Sequence, residues 1–191
     1  MNVLIINGNP RGESYTDALC NAYKTGALKA NAQVKMIQLR ALDFDLNLTR
    51  DFQEGKDLEE DLKEAIEYLK WCDHIVWVHP LWWASIPALM KGFIDRAFLS
   101  GVTYRYEKGK ALPEQLLKGK TARIICTSDS PKWYYKFYLG SPATKQLKKG
   151  TLEFCGVRPV RTSYIAPIRN STENFRKKWL DKVTSLGQQL I

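Results

Sequence analysis

Apolar runs alternate with amphipathic segments along the whole chain of 191 residues. Five of the runs are short and rich in β-branched side chains, as is typical of strands: residues 2–6, 33–39, 74–78, 121–127 and 157–165. In the segments between and after them, apolar residues recur at intervals of three and four, which predicts helices. Five strands alternating with five helices predict a single α/β domain over residues 1–191, with helices on both faces of the sheet.

The alternation also predicts how the strands are arranged. Right-handed crossovers through helices give a parallel sheet, for which we predict the order 2-1-3-4-5. The carboxyl ends of strands one and three then meet at the switch point of the sheet, where ligands bind in such folds. The loops at residues 7–16 and 79–87 would be neighbours there, flanked by residues 127–138. Residues 40–57 have no clear periodicity, and we predict a long loop.

Composition narrows the class of protein. A hydrophobic content of 45% is typical of a globular chain. The longest apolar stretch, residues 75–90, contains His79 and two prolines and is too short for a membrane helix. The N-terminus does not resemble a signal peptide, and the four cysteines form no C-x-x-C pair. We therefore expect a cytoplasmic protein with free thiols and no metal site.

Charge is unevenly distributed between the two halves. Residues 1–100 contain 11 basic and 14 acidic residues, a net charge of −3, whereas residues 101–191 contain 18 and 6, a net charge of +12. A basic half suits a phosphorylated cofactor, an anionic membrane, nucleic acid or an acidic protein. No nucleic-acid recognition motif accompanies it, so we expect no nucleic-acid partner.

The first loop, residues 7–16, contains turn-forming residues between a buried strand and a helix. Unpaired N–H groups at the helix start favour an anion, and Arg11, Ser14 and Thr16 can add donors. The pattern therefore suits a phosphate. The alternative is ordinary helix capping by Ser14, with Arg11 in solvent. Neither the G-x-G-x-x-G nor the G-x-x-x-x-G-K-[ST] fingerprint is present.

Two further segments at the predicted ligand edge are rich in aromatic residues. Trp82 and Trp83 follow strand three, where they could hold a flat conjugated ligand or cover the core or a subunit interface. Residues 128–140 form a third predicted loop with five aromatic residues, which suits cofactor stacking, pocket gating, dimer contact or a buried helix face. The helix at residues 88–99 is unusually apolar, which core burial or a dimer face could explain.

The residues 80–98, PLWWASIPALMKGFIDRAF, together with Asn9-Pro10, residues 14–16 and residues 152–156, resemble the flavodoxin-like NAD(P)H:quinone oxidoreductases. The resemblance spans nearly the whole chain. It implies a three-layer flavodoxin-like fold, bound FMN (with FAD as the alternative), a homodimer, and two-electron hydride reduction of quinones or similar electrophiles by a ping-pong mechanism through the flavin. The absence of a C-terminal extension beyond Ile191 favours FMN.

The resemblance also assigns site residues by position. It implies that the flavin phosphate and ring are held by Asn9, Ser14, Tyr15, Thr16, Pro80, Leu81, Trp82, Trp83, Thr127, Ser128 and Asp129. Arg11, a candidate donor from the chemistry of the first loop, completes the predicted cofactor site. Two departures stand out: Asp129 replaces a glycine of the larger relatives, and their histidine beyond the aromatic loop is missing. Tyr134 or Tyr135 would then be the phenols that assist hydride transfer.

The cosubstrate, the acceptor and the class of protein remain open at this point. The cosubstrate could be NADPH or NADH, and the acceptor a quinone, an azo or nitro compound, or another electrophile. The basic half could instead bind an acidic membrane protein, which would make the chain a flavin-bearing ancillary subunit of a membrane transport system. A plain electron-transfer flavodoxin lacks the Trp82-Trp83 loop and is typically acidic, so it fits less well.

Overall fold

The computed structural model describes residues 1–48 and 58–191, so the predicted loop at residues 40–57 lies partly outside the described residues. The strands, in chain order, are β1 (Asn2–Asn7), β2 (Gln33–Gln38), β3 (His74–Pro80), β4 (Tyr104–Arg105), β5 (Glu114–Gln115), β6 (Thr121–Thr127) and β7 (Val160–Ile165). Five form one parallel sheet in the order β2-β1-β3-β6-β7, which confirms the predicted topology. The short β4 and β5, which lie between β3 and β6 in sequence, pair with each other in antiparallel fashion.

The helices are α1 (Tyr15–Lys29), α2 (Glu60–Trp71), α3 (Ala88–Ala97), α4 (Pro142–Lys145) and α5 (Glu173–Gln188). The predicted loop at residues 128–140 is wrong in part, because Tyr134–Tyr138 form a π-helical turn. The turn buries the ring of Tyr135, whereas Tyr134 is partly exposed and Phe137 and Tyr138 are exposed. A second π-helical segment, Gln146–Leu152, follows α4.

The sheet separates two apolar layers, as a three-layer fold requires. Alternate residues of β1 point to opposite faces, so Leu4 and Ile6 join one core cluster while Val3 and Ile5 join the other. The first cluster packs under α2 and α3, and the second packs under α1 and α5. The central strands β1, β3 and β6 are therefore buried on both faces, which is why their sequences are mostly apolar, whereas the edge strands β2 and β7 are partly exposed.

Helices α1 and α5 pack backbone to backbone. A Cβ atom at Gly26 would lie 1.9 Å from the carbonyl oxygen of Thr184, and one at Gly187 would lie 2.3 Å from that of Tyr23. Neither carbonyl can move without shifting its helix. The two glycines therefore allow an approach that no side chain would permit.

Burial within the chain explains the apolar character of α3 and of the residue after it. Phe93 and Ala97 are fully buried, and Ile94 and Phe98 are nearly so, so these four side chains leave little apolar surface for a second chain. All four cysteines are buried and free. Among the residues that the structure describes, no helix has the length and apolar character needed to cross a membrane.

Candidate functional site

A cleft of about 760 Å³ opens at the carboxyl edge of the sheet. Three loops form it: the loop after β1, the loop after β3 and the loop after β6, which are the segments predicted to converge. The cleft is lined by all twelve residues that the sequence analysis predicted to bind the cofactor, namely Asn9, Arg11, Ser14, Tyr15, Thr16, Pro80, Leu81, Trp82, Trp83, Thr127, Ser128 and Asp129. Ile168 and Arg169 line it as well.

Asn9 organises the loop after β1. Its side chain is buried, with Nδ2 donating to Thr16 Oγ1 at 2.9 Å and Oδ1 accepting from the Arg11 N–H at 3.0 Å. The Asn9 N–H in turn donates to Asn7 Oδ1 at 3.1 Å. Because buried polar groups are costly unless paired, this network fixes one loop conformation. The loop is therefore shaped before any ligand arrives.

The first turn of α1 presents hydrogen-bond donors to the cleft. Helix geometry leaves the N–H groups of Tyr15 and Thr16 without partners inside the helix. Ser14 lies just before the helix, and its Oγ contacts Thr16 Oγ1 at 2.7 Å and donates to Asp17 Oδ2 at 2.7 Å. Together with the positive end of the helix dipole, these groups make a site for an anion.

Asp17 lies one turn into α1 and would oppose an anion if its charge were unpaired. Arg40 contacts Asp17 Oδ1 at 2.9 Å, and the Ser14 N–H donates to Asp17 Oδ2 at 2.9 Å. Burial acts to raise the pKa of Asp17, but the hydrogen bonds from Ser14 and Arg40 outweigh it and lower the pKa. The Asp17 carboxylate is therefore ionised, and Arg40 neutralises its charge.

The loop after β3 is a tight hairpin at the mouth of the cleft. Trp82 and Ser85 exchange backbone hydrogen bonds of 3.0 and 2.9 Å. Trp83 and Ala84 between them have φ values of 51° and 58°, as in a type I′ turn, where L residues are strained. Trp83 is fully exposed at the tip. The backbone geometry therefore presents both tryptophans at the cleft.

Two contacts fix this hairpin relative to the rest of the cleft. The Leu81 N–H donates to the Thr127 carbonyl at 2.7 Å, which attaches the hairpin to the end of β6. The Arg11 guanidinium lies over the Trp82 ring, 5.4 Å from its centroid, and so connects the hairpin to the loop after β1. The hairpin is therefore connected to both neighbouring loops of the cleft.

His79 supports the hairpin from below. It is buried, and Nδ1 lies 2.9 Å from the carbonyl oxygen of Pro80, which can only accept a hydrogen bond. Burial lowers the pKa of His79 to about 4, although the bond to Pro80 offsets part of the effect. The ring is therefore neutral near pH 7. Nε2 has no hydrogen-bond partner among the described residues and does not face the cleft lining.

Tyr15 connects the start of α1 to α5. Its hydroxyl donates to the carbonyl of Arg176 at 2.8 Å. Burial raises the pKa of Tyr15 to about 12, with the nearby Arg176 offsetting part of the rise. The phenol is therefore neutral and acts as a structural donor.

The wall formed by Ile168 and Arg169 was missed by the sequence analysis. The Ile168 N–H donates to the Ser128 carbonyl at 3.1 Å, and the Ser128 N–H donates to the Ile165 carbonyl at 3.0 Å. The available signal was position alone, since residues that follow the fifth parallel strand lie at the same edge as the other loops.

The structure does not bring Tyr134 or Tyr135 into the cleft lining. The Tyr135 ring is 3% exposed and stacks on Tyr164 at 4.7 Å, and its hydroxyl contacts Thr144 Oγ1 at 3.1 Å and accepts from the Thr144 N–H at 3.0 Å. Tyr135 lines a separate cavity of about 290 Å³. Tyr134 stacks on Tyr138 at 5.0 Å. A role for either phenol in hydride transfer stays a prediction that this geometry does not favour.

The cleft fits FMN in chemistry and size. At one end, hydroxyl and N–H donors at the start of α1 suit a phosphate. At the other end, Pro80, Leu81 and Trp82 form an apolar and aromatic wall for a flat ring. The volume of the cleft lies within the range of small-molecule sites, about 300–1,000 Å³.

Comparisons with known proteins agree with this architecture. Over 186 residues the chain is 26% identical to an uncharacterised NAD(P)H oxidoreductase of Haemophilus influenzae, covering 95% of this chain and 91% of that protein. It is 27% identical to the FMN-dependent NADH:quinone oxidoreductase of Alcanivorax borkumensis, covering 73% of this chain and 81% of that protein.

A solved structure has the same fold. The NAD(P)H:quinone oxidoreductase from Methanothermobacter marburgensis superposes with a TM-score of 0.84 at 21% identity, covering 100% of this chain and 99% of that one. The family described as having a flavodoxin-like fold matches residues 1–186. The chain therefore belongs to this flavodoxin-like family.

Proposed function

We propose that the protein is an FMN-dependent NAD(P)H oxidoreductase that reduces quinones or similar electrophiles by two electrons. The observation that carries this proposal is the convergence of an anion site, an aromatic wall and an open mouth in one cleft. The names of the two curated relatives support the same chemistry, one as an NAD(P)H oxidoreductase and the other as an FMN-dependent NADH:quinone oxidoreductase.

Residues in different parts of the cleft would have different roles in binding FMN. Ser14, Thr16 and the first-turn N–H groups of α1 would bind the phosphate, and Asn9 would hold that loop in shape. Leu81 and Trp82 would orient the ring and exclude water from one of its faces. Bound FMN would supply the hydride chemistry, as cofactors do. The protein would contribute positioning rather than acid–base catalysis.

The open side of the cleft suits two substrates that bind there one after the other. Trp83 projects fully into solvent at the mouth, where it can contact a planar nicotinamide or quinone. We propose that NAD(P)H binds, reacts and leaves before the acceptor takes the same place, which is a ping-pong order. We expect NADPH to be preferred over NADH because the second half of the chain is basic.

The homodimer and the cytoplasmic location stay predictions. Exposed rings at Trp133, Phe137 and Tyr138 offer apolar surface beyond the cleft. The alternative of an ancillary transport subunit has no support from the relatives named above, which are described as oxidoreductases.

The test begins with purified protein incubated with FMN or, in parallel, with FAD, and passed through a desalting column. We expect retained FMN absorbance that bleaches on anaerobic addition of NADPH and returns when a quinone is added. Retained FMN that NADPH and NADH both fail to bleach would contradict the oxidoreductase proposal. Failure to retain either flavin would contradict the cofactor assignment itself.

A further inference from the structure

Asp129 makes two contacts with the loop between β7 and α5, residues 166–171. Its Oδ1 accepts a hydrogen bond of 2.6 Å from the Arg169 N–H, and its Oδ2 lies 3.4 Å from Arg169 Nε. Both residues line the cleft, Asp129 from the loop after β6 and Arg169 from the opposite loop. One carboxylate therefore joins two loops that are 40 residues apart in sequence.

The remaining contacts between these two loops end one residue earlier. Backbone bonds connect Ser128 with Ile165 and Ile168, at 3.0 and 3.1 Å, and so continue the pattern of the sheet just past its edge. At Arg169 the chain turns away toward α5, and a side chain replaces the backbone as the acceptor. The Asp129 carboxylate therefore holds the part of the loop that the sheet no longer reaches.

The ion pair and the backbone hydrogen bond of Asp129 differ in strength and in direction. The ion pair is exposed, with relative side-chain exposures of 81% for Arg169 and 49% for Asp129, so its contribution to holding the loop is small. The short bond from a backbone N–H to a carboxylate is charge-assisted and directional. The N–H bond is therefore suited to positioning, and the guanidinium is suited to cancelling the negative charge.

We propose that Asp129 is a positioning residue that holds residues 166–171 against the cleft, where Ile168 and Arg169 form its fourth wall, and that Arg169 neutralises the carboxylate beside an anionic ligand. The proposal rests on the proposed function, because FMN is taken as the ligand.

Three variants separate the two roles. Asp129→Ala removes the acceptor and the charge, Asp129→Asn keeps an oxygen acceptor without the charge, and Arg169→Gln keeps the N–H bond but leaves the carboxylate unpaired. The first readout is the rate of amide hydrogen exchange in the apoprotein, which NMR measures residue by residue. We expect Asp129→Ala to abolish protection of the Arg169 amide, while the other two variants retain it. The Ile168 amide, bound by Ser128, is the internal control.

The second readout is FMN affinity, measured by quenching of flavin fluorescence. We expect Asp129→Ala to weaken FMN binding about tenfold and Asp129→Asn less than about twofold. Arg169→Gln should weaken it about threefold at low salt and much less at high salt, because an exposed charge is screened. The double variant Asp129→Asn, Arg169→Gln should recover most of that loss.

The outcomes are distinct. Unchanged protection of the Arg169 amide in Asp129→Ala would overturn the positioning role, and lost protection with unchanged FMN affinity would overturn the role of the fourth wall. An Arg169→Gln effect that survives high salt or the double variant would overturn the neutralising role. If the wild-type protein binds no FMN, the proposed function fails, and exchange on the apoprotein still decides whether Asp129 holds the loop.

Discussion

The loops after β3 and β6 are both rich in aromatic residues and leave the sheet at the same edge, yet they use their rings differently. After β3, a two-residue hairpin presents Trp82 and Trp83 at the cleft. After β6, the chain winds into a π-helical turn that buries Tyr135 and leaves Trp133 64% exposed, away from the cleft lining. Aromatic composition at a ligand edge is therefore not sufficient. The direction of the backbone decides which rings reach the ligand.

The comparison predicts different responses to the loss of one indole from each loop. Trp82→Ala should weaken FMN binding about 5- to 150-fold, since loss of one aromatic stacking surface costs about 1–3 kcal/mol. Trp133→Ala is the matched control and should change FMN binding less than twofold. Titration of flavin fluorescence measures both. Equal losses in the two variants would show that the exposed loop also reaches the ligand.

We expect acid to destabilise the residues that support the loop after β3 and to leave those that support the loop after β6 unchanged. Because the folded-state pKa of His79 is about 4 and the ordinary value is about 6.5, the unfolded chain binds more protons between these values. The stabilising contribution of His79 is thus complete above pH 6.5 and falls by about 2 kcal/mol between pH 7 and pH 5. Burial raises the pKa values of Tyr135 and Tyr164, so neither titrates in this range.

Urea unfolding at pH 7 and pH 5 measures this difference. His74 is also buried, with its pKa lowered to about 4 by burial and by Arg123 and Arg161, and it adds a similar loss. We therefore expect His79→Asn to reduce the pH dependence of the unfolding free energy by about half. An unchanged pH dependence in that variant would contradict the neutral, buried state of His79.

Replacing Tyr135 by Phe distinguishes a structural phenol from a catalytic one. The variant keeps the stacking on Tyr164 but leaves the Thr144 N–H without its acceptor, which should lower the unfolding free energy by about 1–2 kcal/mol. The rate of anaerobic FMN reduction by NADPH should change less than twofold. Tyr134→Phe is the control, expected to alter neither quantity. A large loss of rate with unchanged stability would restore the catalytic prediction.

The smallest expected effect is a gain in the stability of the apoprotein. Ala84 has a φ of 58°, a conformation that glycine adopts without strain, so Ala84→Gly should stabilise the apoprotein by about 1 kcal/mol. Thermal unfolding of the apoprotein measures the change. Ala88→Gly, in the first turn of α3, should instead be destabilising. A destabilised Ala84→Gly variant would show that the methyl group packs more favourably than the backbone strain costs.

The sequence was informative where structure follows from local pattern. Apolar strand runs and helical spacing predicted the strands and their order β2-β1-β3-β6-β7, and the signal is clearest in β1, β3 and β6, which are buried on both faces. The convergence of the loops after β1, β3 and β6 followed from that order. Eleven of the residues assigned to the cofactor came from the resemblance and Arg11 came from the chemistry of the first loop, and the structure brings all twelve to one cleft.

What the sequence could not predict depends on contacts between distant segments. Arg169 is held at the cleft by a bond to Asp129, and no local motif marks Arg169 or its pairing with Asp129. Tyr135 turns inward because Tyr164 and Thr144 receive its ring and hydroxyl, a choice among five neighbouring aromatic residues that composition cannot make. The apolar excess of α3 suggested a dimer face, but Phe93 and Ile94 are buried within the chain.

The glycine contact between α1 and α5 also bears on the entropy and rate of ligand binding. Helix α1 carries the anion site, and α5 begins where the fourth wall of the cleft ends. Because the two backbones touch at Gly26 and Gly187, sliding of one helix along the other would bring backbone atoms into steric conflict, and we expect the two walls to move little relative to each other. A ligand would therefore lose little free energy to ordering the protein. Association should be a single step with a rate proportional to ligand concentration, and differences in affinity should lie in the dissociation rate.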